Sequence, residues 1–163
     1  MRRVVVTGIG TINSTGHNVK DSFEAVVNGV CGIDTITLFD ASEFSVKIAG
    51  EVKDFDPTSV MDKKEVKKAD RFIQLGIKAA LEAMIDSGYV TAENKKVDAS
   101  IADRFGMISG SGIGGLSTIE RNSVVCENKG SRKVSPFFIP SSLANMLSGF
   151  ISIEHNLRGP SLS

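Results

Sequence analysis

Twice in this chain a short apolar run closes on glycine and passes through a loop of small residues into a helical pattern. The first is Arg3-Val4-Val5-Val6-Thr7, ending at Gly8. A β-branched run of this kind predicts a buried strand that stops at a turn. After the loop segments Gly8-Ile9-Gly10 and Asn13-Ser14-Thr15-Gly16, Asn18 is placed to cap a helix, with Asp21 in its first turn where the dipole favours a carboxylate. Val19, Phe23, Val26, Val27 and Val30 share one helical face, and Gly29 marks the end. The second is Phe105-Gly106-Met107-Ile108-Ser109, then Gly110-Ser111-Gly112-Ile113-Gly114-Gly115, then a helix from Leu116 to about Glu127. Strand, loop and helix in this order favour an α/β class.

The strongest helical period lies between the two. From Asp62 to Asp86, Val66, Ala69, Ile73, Ile77, Ala80 and Met84 recur at three- and four-residue steps. Asp62 and Glu65 resemble a capping box, and Gly88 fits the C-terminal stop. A break near Ala69-Asp70 is compatible with the same pattern and would give a short basic helix followed by a long one. Residues 31–61 are less regular: Ile36–Phe39 and Val46–Val52 read as short strands or extended loop, and Pro57 ends the second. Residues 91–104 are polar and predict a surface loop. Beyond the basic loop Gly130–Lys133 and the segment Ser135–Pro140, Ser141 or Ser142 is expected to cap a helix running through Leu143, Met146, Leu147 and Phe150. Gly159-Pro160 is a turn, and Ser161-Leu162-Ser163 enters a new element.

Composition narrows the partners. With 41% hydrophobic and 23% charged residues, the 163-residue chain has an ordinary globular make-up. Its 19 basic and 19 acidic side chains cancel, so it has no global attraction to nucleic acid or to an anionic membrane, and an electrostatic partner must be met by a local patch. Val4-Val5-Val6 is too short for a signal peptide, and no run reaches membrane-spanning length. A soluble cytoplasmic protein is the expectation. Cys31 and Cys126 show neither CxxC nor metal-ligand spacing, which predicts two buried, reduced thiols and no metal site.

Gly110, Gly112 and Gly115 satisfy GxGxxG, the dinucleotide-binding fingerprint. Two features oppose that reading. About a hundred residues precede a motif that normally opens its domain, and the following window holds Lys129–Lys133 rather than a strand ending in an acid. Small residues that let a helix start pack closely against a strand are the simpler explanation.

Six segments in order resemble the condensing enzymes of fatty-acid synthesis, the β-ketoacyl–acyl carrier protein synthases, type II in particular. They are Arg2–Gly10, Gly50-Glu51-Val52-Lys53-Asp54-Phe55, Asp70-Arg71-Phe72-Ile73-Gln74-Leu75-Gly76, Gly110–Gly115, Ser135-Pro136-Phe137-Phe138-Ile139-Pro140 and Arg158-Gly159-Pro160-Ser161. The resemblance implies a thiolase-like fold, α/β/α/β/α in the full enzyme and usually a homodimer, of which residues 1–163 would be an incomplete N-terminal domain. It also implies a decarboxylating Claisen condensation without a cofactor, fed by acyl- and malonyl-loaded carrier protein. The family's nucleophilic cysteine, in a Thr-Ala-Cys motif, and its two histidines and lysine would lie beyond Ser163. Neither Cys31, Cys126, His17 nor His155 matches them, so no catalytic residue is assigned. The polypeptide alone is expected to form no acyl-enzyme and to be poorly soluble or partly unfolded.

Two binding regions remain. Lys63 and Lys64 follow Asp62 in a first helical turn, where cations oppose the dipole by roughly 0.3–1 kcal/mol each. A patch kept at such a cost suggests a partner. The matching family segment docks the acidic carrier protein, which by resemblance selects Lys64, Lys67 and Lys68. Likewise Ile113 matches the residue that gates the acyl pocket, and Phe138 and Ile139 match residues that cross the dimer interface to line the partner's pocket. A polyketide-synthase ketosynthase domain is the alternative within the same chemistry. A non-catalytic fragment that dimerises or binds a carrier protein is the alternative outside it.

Overall fold

The computed structural model describes residues 3–163; Met1 and Arg2, and with them the start of the first resembling segment, lie outside the described residues. Helix α3 (Arg71–Asp86) forms the axis of the core. Ile73, Ile77 and Leu81, four residues apart, are buried along one stripe and meet Ile151 of α6 (Met146–His155), with Val60 and Ala69 closing the cluster. Gly76 lets the two helices cross closely, since a Cβ there would lie 2.4 Å from Leu147 Cδ1. The break weighed at Ala69-Asp70 is real. A single turn, α2 (Lys63–Val66), precedes α3, and Asp70 is the N-cap residue of the long helix. The capping box does not form: Asp62 makes no side-chain cap bond, and Glu65 is drawn instead to Lys68 at 2.6 Å.

The expected first strand is absent. Residues 3–7 pair with no other segment among the described residues, and Val4, Val5 and Val6 are 96%, 71% and 82% exposed. A β-branched run becomes a strand only when a neighbour takes its backbone N–H and C=O groups. The segment that follows is held to α3 by carboxylates. Asp86 Oδ2 accepts from Ile9 N at 2.9 Å, while Glu82 accepts from Thr11 N at 3.0 Å and Val19 N at 2.8 Å. Gly10 is needed for this approach, because a Cβ there would lie 2.0 Å from the Ala79 carbonyl oxygen.

Helix α1 (Val19–Val27) starts where predicted, with Asn18 Oδ1 accepting from Asp21 N at 2.8 Å. Its apolar face is not buried, however: Phe23, Val26, Val27 and Val30 face solvent, and Ser22 is the buried residue. The total accessible surface, 11227 Å², exceeds the roughly 7,900 Å² of a compact monomer of this mass. The amphipathic patterns are therefore real, but a sizeable part of the apolar surface is uncovered.

Strands β1 (Ile33–Thr35) and β2 (Ile48–Gly50) form an antiparallel pair in which Asp34 faces Ala49. The first strand starts three residues earlier than the expected Ile36–Phe39, because the Glu51 carboxylate takes over beyond it, accepting from Thr37 N, Thr37 Oγ1 and Leu38 N. The Thr37 hydroxyl, followed by these backbone donors, holds the Glu51 carboxyl below its ordinary range. Hydrogen bonds from Lys53 to Asp34 and from Thr58 to Asp56 lower those two carboxyls as well. Folded-state values below the unfolded ones stabilise the protein above the ordinary carboxylate range and lose that effect as pH falls through the lowered values. Denaturation midpoints measured against pH are expected to be flat above about pH 5 and to drop below about pH 4. Glu51→Gln should make that acid limb shallower.

Strands β3 (Met107–Ile108) and β4 (Ser161–Leu162) pair in parallel, joined by a crossover that contains α4 (Leu116–Lys129), α5 (Phe138–Ser142) and α6. Parallel pairing through a helical crossover is the α/β arrangement read from the sequence. Ser141 and Ser142 end α5 instead of capping the next helix, which Asn145 precedes as N-cap residue. Residues 91–104 are not wholly a surface loop, since Val97 and Ala102 are buried. Both thiols are free and exposed, contrary to the expected burial: Cys31 follows α1, and Cys126 lies on an outer position of α4.

Candidate carrier-protein groove and gate turn

The basic segment 63–68 does not act as one helical face. Because α2 is a single turn, its first turn is also its last, and the dipole argument for Lys63 and Lys64 loses its force. Geometry supplies a better argument. Lys67 lines a groove of about 440 Å³ between the α2–α3 junction and α4, where Arg121 and Lys133 join it. Asp70 is the one carboxylate in that lining, and its Oδ2 is engaged by Thr118 N at 2.9 Å. Arg71 also lines the groove, but its guanidinium is committed to the carbonyls of Val52 and Phe55 and stacks on the Phe55 ring at 5.0 Å. Lys67, Arg121 and Lys133 have no ion-pair partner among the described residues.

Three expected docking lysines are thus unequal. Lys64 and Lys67 are exposed. Lys68 is half-buried, paired with Glu65 and lying 5.5 Å from the centre of the Phe137 ring. Arg121 and Lys133 were not among the residues singled out from sequence. Lys133 was visible as part of the basic loop 130–133, but nothing in the spacing tied it to Lys67. Asn122 makes that tie, its Oδ1 accepting from Ser135 N at 3.0 Å and its Nδ2 donating to Thr118 O at 2.9 Å.

Ile113 sits at the exposed corner of the glycine-rich turn, 65% accessible. Ser111 Oγ accepts from Gly114 N at 2.9 Å, and Gly115 N donates to Ser142 O at 2.9 Å. Gly114 has φ +81°, a conformation that favours glycine, and a Cβ there would lie 2.4 Å from Ser142 O. The glycines therefore seat the start of α4 on the end of α5, rather than on a strand as expected. The segment after α4 is a 3-10 turn, Ser131–Lys133, with no strand ending in an acid, so the fingerprint's second half is missing.

Phe138 is half-buried in α5 and Ile139 is 55% exposed. A second cavity of about 530 Å³ shares Phe137 with the groove and is lined by Met61, Ile77, Met146 and Phe150 together with Glu65 and Lys68. Ile113, Phe138 and Ile139 line neither cavity.

The two histidines lie in different surroundings, His17 in the lining of a cavity of about 430 Å³ that also includes Cys31, Asp21 and Glu51. His17 packs edge-on against Phe55 with ring centres 6.2 Å apart. His155 is fully buried, with Nδ1 2.7 Å from Lys95 O and Nε2 without a partner. Among the described residues no group of three or more metal-ligating side chains converges, and no helix is long and apolar enough to cross a membrane.

An α/β fold with a cationic groove beside a glycine-rich turn defines a class of scaffold rather than a reaction. The family is set by comparison: residues 1–163 match the β-ketoacyl synthase N-terminal domain, and the chain belongs to that family. It is 48% identical over 163 residues to 3-oxoacyl-[acyl-carrier-protein] synthase 2 of Vibrio harveyi, covering 99% of this chain and 38% of that protein. The protein of the same name from Coxiella burnetii is 44% identical over 162 residues, with the same coverage. Among solved structures, the ishigamide ketosynthase/chain length factor superposes with a TM-score of 0.78 at 29% identity, covering 99% of this chain and 38% of that one. The fold is accordingly thiolase-like. The chain spans a little over a third of the length of these relatives.

Proposed function

We propose that this chain is the N-terminal domain of a 3-oxoacyl–acyl carrier protein synthase of fatty-acid elongation, and that its own contribution is to dock the carrier protein and to gate the acyl chain. The observation that carries this reading is the 48% identity along the whole chain to a synthase of that name. In the complete enzyme an acyl group passes from the carrier protein's thioester to an enzyme cysteine, releasing the carrier thiol. Malonyl–carrier protein then loses CO2, and the carbanion so formed attacks the acyl-enzyme, giving 3-oxoacyl–carrier protein and freeing the cysteine. We assign none of these bond changes to a side chain of this chain.

What the chain offers is recognition. Lys67 presents charge to an acidic partner from one groove with Arg121 and Lys133, exposed Lys64 adds charge outside that lining, and Lys68 lies beside Phe137 in the lining of the neighbouring cavity. Ile113 caps the turn toward which an acyl chain would be delivered, and Phe138 and Ile139 are apolar contacts that a second copy of the enzyme would receive. A homodimer working in the cytoplasm without a cofactor fits this reading. The fatty-acid assignment is preferred to a polyketide ketosynthase because the synthase 2 relatives are 44–48% identical, against 29% for the ishigamide ketosynthase.

Full-length enzyme carrying this chain, given acyl- and malonyl–carrier protein, is expected to release CO2 and to form a 3-oxoacyl–carrier protein two carbons longer, read by mass spectrometry. Transfer of the acyl group to water, or decarboxylation with no longer product, would contradict the assignment.

A further inference from the structure

Asp70 occupies a position where an aspartate normally serves its own helix. At the N-cap of α3 its side chain would ordinarily accept from the second or third backbone N–H of that helix. It makes no such bond. The carboxylate is 7% exposed and points across to α4, where Oδ2 accepts from Thr118 N, the third residue of that helix, 48 positions away in sequence. Helix α4 has no side-chain cap of its own, because Gly115 stands at its N-cap. Asp70 therefore caps α4 from another element. The start of α4 is fitted closely to it, since a Cβ on Gly115 would lie 3.0 Å from Asp70 Oδ2.

The residues immediately before that cap form the gate turn. Ile113 has little packing of its own, and the turn is fixed by Ser111 Oγ at one end and by the Gly115–Ser142 and Thr118–Asp70 bonds at the other. Of these supports, Asp70 alone lies in the segment that also carries the docking lysines, three residues after Lys67. We infer that Asp70 is a positioning residue for chain-length selection, holding the Ile113 turn in place through the N-terminus of α4. This rests on the reading of Ile113 as the gate. A carboxylate shared between two helix N-termini suits the task, because both dipoles favour its charge and removing it leaves a buried N–H without an acceptor.

The test uses the full-length enzyme and the ratio of kcat/KM for a short against a long acyl–carrier protein. Asp70→Ala is expected to shift that ratio about fivefold; the carrier protein is common to both substrates, so any change in docking caused by removing the groove's one carboxylate cancels from the ratio. Asp70→Asn keeps an acceptor for Thr118 N and should restore the parent ratio. In an Ile113→Gly background, where there is no gate to position, Asp70→Ala should add nothing. If Asp70→Ala does not fold, Asp70→Glu, which keeps the charge but displaces the acceptor by a methylene, takes its place. An unchanged ratio with Asp70→Ala or Asp70→Glu, while Ile113→Gly alters it, overturns this inference alone, as does an equal shift with and without the gate. An unchanged ratio with Ile113→Gly overturns the gate reading and this inference together.

Discussion

Lys67→Glu in the full-length enzyme is expected to raise the KM for acyl–carrier protein roughly tenfold at low salt and to leave kcat almost unchanged. Lys67 is exposed, lines the groove with Arg121 and Lys133, and has no carboxylate partner of its own among the described residues. Reversing it replaces an attraction worth up to about 1 kcal/mol with a repulsion of similar size. Rising ionic strength should shrink the difference between variant and parent, because contacts between exposed charges are screened over about 10 Å at 0.1 M salt. Lys68→Glu is a less clean probe. It would place two carboxylates side by side at Glu65 and remove the cation from the Phe137 ring, so some of its effect would be structural. The larger docking effect is therefore expected at Lys67, with Lys64 next. Steady-state kinetics against carrier-protein concentration at two salt levels check the order. Equal KM values for Lys67→Glu and parent at low salt would count against the groove.

Ile113→Phe should act on the acyl chain and not on the carrier. At the corner of a turn whose backbone is held by Ser111, Ser142 and Asp70, a larger ring cannot be absorbed by moving the loop. Steric exclusion should then fall on long chains, lowering kcat/KM for a long acyl–carrier protein by about tenfold to a hundredfold while sparing a short one. Competition between short and long acyl–carrier proteins in one reaction, with products resolved by mass, measures this directly. Equal losses on both chain lengths would show that Ile113 shapes the turn and not the pocket.

Much of the α/β architecture could be read from local chemistry, and the exceptions share a cause. The α3 stripe, the break before Asp70, the Asn18 cap and the entry to α4 all depend on residues within a turn or two of each other, where spacing is informative. Arg3–Thr7 and the apolar face of α1 carried equally clear patterns, yet the first forms no strand and the second faces solvent. A pattern states what a segment can bury, and the surface that receives it lies elsewhere in space. The candidate site divides in the same way. Lys64, Lys67, Lys68, Ile113, Phe138 and Ile139 were reached through resemblance, but the pairing of Lys68 with Glu65 and the junction of Lys67 with Arg121 and Lys133 depend on α2 being one turn and on Asn122 bridging two segments. Asp70 entered the sequence reading only as the place where the helical pattern could break, and nothing local reveals that it caps a helix 48 positions away.

The docking surface itself can be mapped. Acyl–carrier protein bearing a photoreactive group on its acidic face, irradiated with the full-length enzyme at low salt, should form cross-links to residues 64–67 and to α4 and the basic turn from Arg121 to Lys133. Lys67→Glu should lower their yield by up to about tenfold at carrier-protein concentrations below the KM. Cross-links that fall wholly outside this groove, with yield unaffected by Lys67→Glu, would contradict the claim that these residues hold the carrier-protein dock.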